Sequence, residues 1–184
     1  MWLALAYIIC IVAARTLTSL GRPRRTLSDF FRALLDPTFH FIALASLVAV
    51  VVPLLEYVII RPAQWLPLNI IGGALVVGSG VLAWTANRQL GAAFTPYVDN
   101  KAAERRIITA GIYGRIRHPL YTAGFMLTTG AVLMLCSIIS WFFTLICWVA
   151  IVVRTLREEH LLKRNMDGYA DYMRRTKRYI PGVF

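Results

Sequence analysis

Acidic side chains are scarce in this chain: 9 Asp and Glu stand against 20 Lys and Arg in 184 residues, and charged residues make up only 16%. A soluble globular domain usually carries about a quarter, so an ordinary water-facing surface is excluded. Cysteine is equally sparse. Cys10, Cys136 and Cys147 all lie in apolar runs and form no C-x-x-C pair, which leaves neither a disulfide framework nor a cysteine zinc site. Such thiols act as small packing residues. His40, His118 and His160 are too scattered for a metal cluster, and no metal is expected. A glycine-rich nucleotide loop is missing too. Gly72, Gly73, Gly78 and Gly80 sit in an apolar run with no strand before them, the pattern of close helix packing in a membrane. The first 20 residues lack a basic leader and a small-x-small cleavage site, and read as a retained span. No repeat, low-complexity tract or linker divides the chain, so one domain over 1–184 is expected.

What is present is grease and positive charge. Hydrophobic residues make up 58%. A bilayer core needs about 20 apolar residues as helix, and 2–20, 38–60 and 67–87 each qualify. The run 119–156 is too long for one span. Split near Cys136-Ser137 it gives 119–136 and 138–156, a tight hairpin of helices four and five. The expected fold is therefore an all-α integral membrane protein of about five transmembrane helices. All basic residues except Arg61 fall in three segments: around the end of span one and before span two, between spans three and four, and in the tail region from Arg154 onward. Five spans put those segments on one face, which the positive-inside rule makes cytoplasmic, with the N-terminus outside. The basic excess thus reads as a lipid-surface feature, with nucleic acid as the weaker alternative because no soluble basic face exists. Two further helices are expected on the cytoplasmic side. One is an interfacial helix over 26–35, with Leu27, Phe30, Phe31, Leu34 and Leu35 at helical spacing. The other is a C-terminal tail helix over 158–173, interrupted at Asp167-Gly168.

Chemistry concentrates in two places. The segment Gly111 to Gly124 brings Tyr113, Arg115, Arg117, His118 and Tyr121 to the mouth of span four. Pro119 suits the first turn of that helix, where its missing N–H costs nothing, and the free amides there favour an anion. Span five leaves the membrane as Arg154-Thr-Leu-Arg-Glu158-Glu159. Arg154 and Glu158, four apart, share a helix face. Ionisable groups at membrane depth are functional candidates, although headgroup anchoring explains Arg115 and a surface ion pair would explain Arg154 with Glu158.

The run Arg117-His-Pro-Leu-Tyr-Thr-Ala-Gly124, then Arg154-Thr-x-x-Glu158-Glu159-x-x-Leu162, then Tyr169-x-x-Tyr172 and Arg178-Tyr-Ile-Pro181 resembles the isoprenylcysteine carboxyl methyltransferase and phospholipid methyltransferase families. Leu90-Gly91-Ala-Ala-Phe94 and Ile108-Thr109-x-Gly111-x-Tyr113 extend the likeness over a catalytic part of about 88–184. The resemblance implies S-adenosyl-L-methionine as cofactor and a lipidated or membrane-soluble methyl acceptor, with carboxyl O-methylation as for prenylcysteine. It implies Tyr113, Arg117, His118, Pro119, Leu120, Tyr121, Glu158 and Glu159 as cofactor contacts, and Arg154 with Glu158 as catalytic. The alternatives are a phospholipid amine N-methyltransferase, an NADPH-dependent sterol-type reductase, which shares an HPxY-like segment, and a non-catalytic membrane scaffold.

Overall fold

The computed structural model describes residues 2–20, 37–90 and 107–183. Among these residues the secondary structure is helical, with no strand beyond one isolated bridge between Ile116 and Lys177. The helices are α1 (Trp2–Leu20), α2 (Pro37–Ile59), α3 (Leu66–Leu90), α4 (Pro119–Met134), α5 (Ser140–Asn165) and the short α6 (Tyr169–Arg175), with a 3-10 turn at Gly111–Gly114. The expected interfacial helix over 26–35 lies outside the described residues.

Three helices, α1, α3 and α5, are long and apolar enough to cross a membrane, while Leu44–Ile59 of α2 and α4 are shorter apolar helices. Large side chains such as Ile70, Phe142 and Val149 point outward from them. In water each would forfeit the burial that drives folding, so the chain is a membrane protein.

Packing follows the small residues. α4 rests chiefly on α3, where Gly72 meets Gly130 so closely that a Cβ on Gly72 would fall 2.2 Å from the Met134 amide nitrogen. Only glycine permits that backbone approach. α1 packs on the other part of α3, and α2 bridges to α5. α4 and α5 follow one another across the short break Leu135–Ile139 but touch each other little. The break is held by polar ties. Asn69 and Gln64 donate to the carbonyls of Met134 and Leu135, at 2.8 and 3.0 Å. Buried Glu56 of α2 accepts the amides of Ile138, Ile139 and Ser140 and the Ser140 hydroxyl. Those amides have no intrahelical carbonyl to reach, so a carboxylate from another helix serves as the cap of α5.

The last long helix differs from expectation. It does not stop at 156 but runs through to Asn165, because no glycine, proline or turn sequence interrupts the change from apolar to charged residues. Its 26 residues span about 39 Å at 1.5 Å per residue, more than the ~30 Å of a hydrocarbon core. The end bearing Arg154, Glu158 and Glu159 is therefore extra to the length a crossing needs. The tail turns back at Asp167-Gly168, where Gly168 has φ 78°, a left-handed conformation that glycine adopts without strain.

Candidate active site

α4 begins at Pro119 with His118 as its N-cap residue. Thr122 N–H reaches back to the His118 carbonyl, so the amides of Leu120 and Tyr121 lie in the first turn without intrahelical acceptors. The preceding chain is fixed by a two-way backbone pairing with the tail. Lys177 N–H donates to Arg115 C=O at 3.1 Å, Arg117 N–H to Lys177 C=O at 2.8 Å, and His118 N–H to Arg178 C=O at 3.1 Å. The 3-10 turn before it carries buried Tyr113, whose carbonyl accepts the Tyr172 hydroxyl at 2.7 Å.

Two carboxylates come off α5 at adjacent positions. Successive helical residues diverge by about 100°, and the two serve different neighbours. Glu158 Oε2 accepts the Tyr121 hydroxyl at 2.9 Å, and the same oxygen of Tyr121 accepts from Arg154 Nε at 2.9 Å. Tyr121 thus joins Arg154 and Glu158, and its ring stacks on His118 at 5.5 Å. Glu159 faces the other way. Its Oε1 accepts from Arg117 Nε at 2.9 Å and His118 Nε2 at 3.2 Å, and its Oε2 from Arg178 Nε and Nη2 at 3.1 and 2.7 Å.

The electrostatics follow from burial and partners. Burial alone would raise the Glu159 carboxyl, but hydrogen bonds from His118, Arg178 and Arg117 outweigh it and hold the group well below the usual carboxylate range. Burial raises the Tyr113 and Tyr169 phenols, and pushes Tyr172 up to about 12 against the pull of Arg117. These tyrosines are neutral hydrogen-bonding groups at physiological pH.

The fold therefore brings together most of the residues singled out in the sequence: Tyr113, Arg117, His118, Pro119, Leu120 and Tyr121 from one side, and Arg154, Glu158 and Glu159 from the other. Arg115 is exposed and stays outside the cluster. Sequence reasoning gave no role to Thr176, yet its backbone carbonyl accepts from Arg117 Nη1, and Met173 C=O does so at 3.1 Å. No motif marks them, because backbone carbonyls carry no residue signature.

A helical membrane protein with a compact set of arginines, carboxylates, tyrosines and a histidine at the end of its spans is built for group chemistry at a membrane surface. Residues 68–167 match the family described as phospholipid methyltransferase, more than half of the chain, and the protein belongs to that family. It is a membrane methyltransferase. It is 29% identical to Protein-S-isoprenylcysteine O-methyltransferase B of Arabidopsis thaliana over 77% of this chain and 74% of that one. It is 26% identical to Protein-S-isoprenylcysteine O-methyltransferase of Xenopus laevis over 90% of this chain and 58% of that one. A shorter match, 36% identical over 80 residues, covers 41% of this chain and 36% of the nickel-cobalt-cadmium resistance protein NccN of Alcaligenes xylosoxydans xylosoxydans.

Proposed function

We propose that the protein transfers a methyl group from S-adenosyl-L-methionine to the carboxylate of a lipidated acceptor, a prenylcysteine or an amphiphile like it. The observation that carries the reading is the setting of Glu158. Its carboxylate accepts the hydroxyl of Tyr121, which also receives Arg154 and stacks on His118 at the start of α4. A carboxylate beside the rings of Tyr121 and His118 suits a cationic sulfonium and an ammonium, so the donor set fits this cofactor. Tyr113, His118, Pro119, Leu120, Tyr121 and Glu158 would hold it, with Arg117 and the first turn of α4 near its carboxylate. When bound, the cofactor supplies an electrophilic methyl group.

The residues of the chain supply position. A carboxylate acceptor, with an ordinary pKa near ~3.5, is already ionised and needs no base. Arg154 orients it, and the Tyr121 hydroxyl keeps Arg154 in register with Glu158. Holding both reactants in line, away from water, supplies most of the acceleration such a displacement needs. The names of the two isoprenylcysteine methyltransferase relatives support the carboxylate acceptor. The name of the matched family supports a second reading, an amine-bearing phospholipid as acceptor, which would require a base such as Glu158.

We read the chain as one domain over 1–184 with about five spans, the N-terminus outside and the site on the cytoplasmic face, where the basic segments gather. The acceptor enters from the bilayer and the cofactor from the aqueous side. Calorimetric titration of detergent-purified protein with S-adenosylmethionine, S-adenosylhomocysteine and NADPH tests the cofactor. Micromolar binding of the first two supports the reading, and binding of NADPH alone overturns it. Labelled methyl transfer to a farnesylated cysteine derivative tests the acceptor. Alkali releases methanol from a methyl ester and leaves an N-methyl amine intact, which separates the two readings.

A further inference from the structure

Glu159 stands beside the carboxylate assigned to the cofactor, but its surroundings are of another kind. It is 4% exposed. An ionised carboxylate offers about four acceptor positions, and Glu159 receives four hydrogen bonds: one from Arg117, one from His118 and two from Arg178. Nothing is left over for a ligand's ammonium or hydroxyl. The donors come from two segments distant in sequence, the start of α4 and the C-terminal tail.

The tail makes further contacts around this cluster. Residues after α6 form no helix long enough to stand alone. Lys177 pairs with Arg115 and Arg117 through the backbone. The Arg117 guanidinium reaches Met173 and Thr176 carbonyls, and Thr122 Oγ1 donates to Tyr179 C=O at 3.0 Å. The Tyr179 ring then lies 6.2 Å from His118 and 5.1 Å from Phe125. The contacts of the Arg117 guanidinium depend on where that group is held, and Glu159 is the group that holds Arg117, His118 and Arg178 together.

We propose that Glu159 is a positioning residue that touches neither substrate: it pins the tail at 176–179 onto the segment from Arg117 to Tyr121 and so fixes the residues assigned to the cofactor. This rests on the cofactor reading above only for its effect on affinity, since the tie itself is a property of the protein alone. Removing a partner from a buried charged network leaves the remaining charges uncompensated, and the tail amides lose their protection.

The test uses Glu159→Gln, Arg178→Gln and the double variant in the full-length protein, each checked for cooperative unfolding in detergent. Hydrogen exchange at the Lys177 amide is measured without ligand, and S-adenosylhomocysteine affinity by calorimetry. Each single variant is expected to speed that exchange and to weaken the ligand about tenfold or more. The double variant should be no worse than the more damaging single one, because both break one tie. The KM for the methyl donor should rise while that for the acceptor holds. If Glu159→Gln abolishes binding while Arg178→Gln changes neither affinity nor exchange, Glu159 is a direct ligand and the proposal fails. Should Glu159→Gln not fold, Arg178→Gln decides alone: unchanged exchange overturns the tie. A wild-type protein that binds no S-adenosylhomocysteine would sink the cofactor reading instead, and the exchange measurement would still decide this one.

Discussion

Replacing Glu158 by glutamine removes one charge and almost nothing else. The amide keeps an oxygen where Oε2 now accepts the Tyr121 hydroxyl at 2.9 Å, so the phenol retains its partner and Arg154 retains Tyr121. What disappears is attraction for a cation. Two unit charges about 4–5 Å apart interact by roughly 3–4 kcal/mol at an effective dielectric near 20. Desolvation of both partners offsets part of this, leaving about 1.5–3 kcal/mol, the usual range for a charged hydrogen-bonding pair. That corresponds to about 10–100-fold in affinity. S-adenosylmethionine carries a sulfonium and S-adenosylhomocysteine does not, while both carry the amino acid part. Glu158→Gln should therefore weaken the first more than the second, and calorimetry on both ligands reads the difference. Equal losses would mean that Glu158 faces the ammonium and not the sulfonium. No loss for either would refute the assignment of Glu158 to the cofactor, and with it the argument from its aromatic surroundings.

Glu56→Ala strips the N-terminus of α5 of the acceptor for three amides and a hydroxyl. A loss of about 2–4 kcal/mol is expected from the missing cap and the stranded donors, read as a lower melting temperature in detergent, and an unchanged melting point would contradict the capping role. Stability should also fall in alkali. Tyr172, with its pKa pushed up to about 12, is neutral in the folded state and ionises more readily unfolded, near pH 10. Its contribution is thus present below about pH 10 and lost as pH rises toward 12. Glu159 works in the opposite direction. Its depressed carboxyl contributes above the ordinary carboxylate pKa near ~4.3, and that contribution goes as pH falls below it. Thermal unfolding across both limits checks the signs, and a flat profile on either side would count against that group.

Much of the fold was legible because membrane helices announce themselves locally. The apolar runs 2–20, 38–60 and 67–87 foreshadow α1, α2 and α3 to within a few residues. The break near Cys136-Ser137 was readable only from length, since one helix cannot use 38 apolar positions. The continuity of α5 from the apolar run into the charged residues up to Asn165 was not legible, because hydropathy reports where apolar sequence stops, not where helical hydrogen bonding stops. The residues that cluster at the start of α4 were legible as a motif, since the run from Arg117 to Tyr121 and the pair at 158–159 place rare charged groups next to apolar runs.

Other features were not. Adjacent glutamates look alike in sequence, and only the direction each leaves α5 sends Glu158 to Tyr121 and Glu159 to Arg117, His118 and Arg178. The sequence by itself determined that the chain lives in a membrane and that its charged groups gather at the ends of its apolar helices. Both follow from which residues avoid water. The tertiary structure decided which charges meet, because a side chain on one span and another on the tail become neighbours only through the packing of helices far apart in the chain.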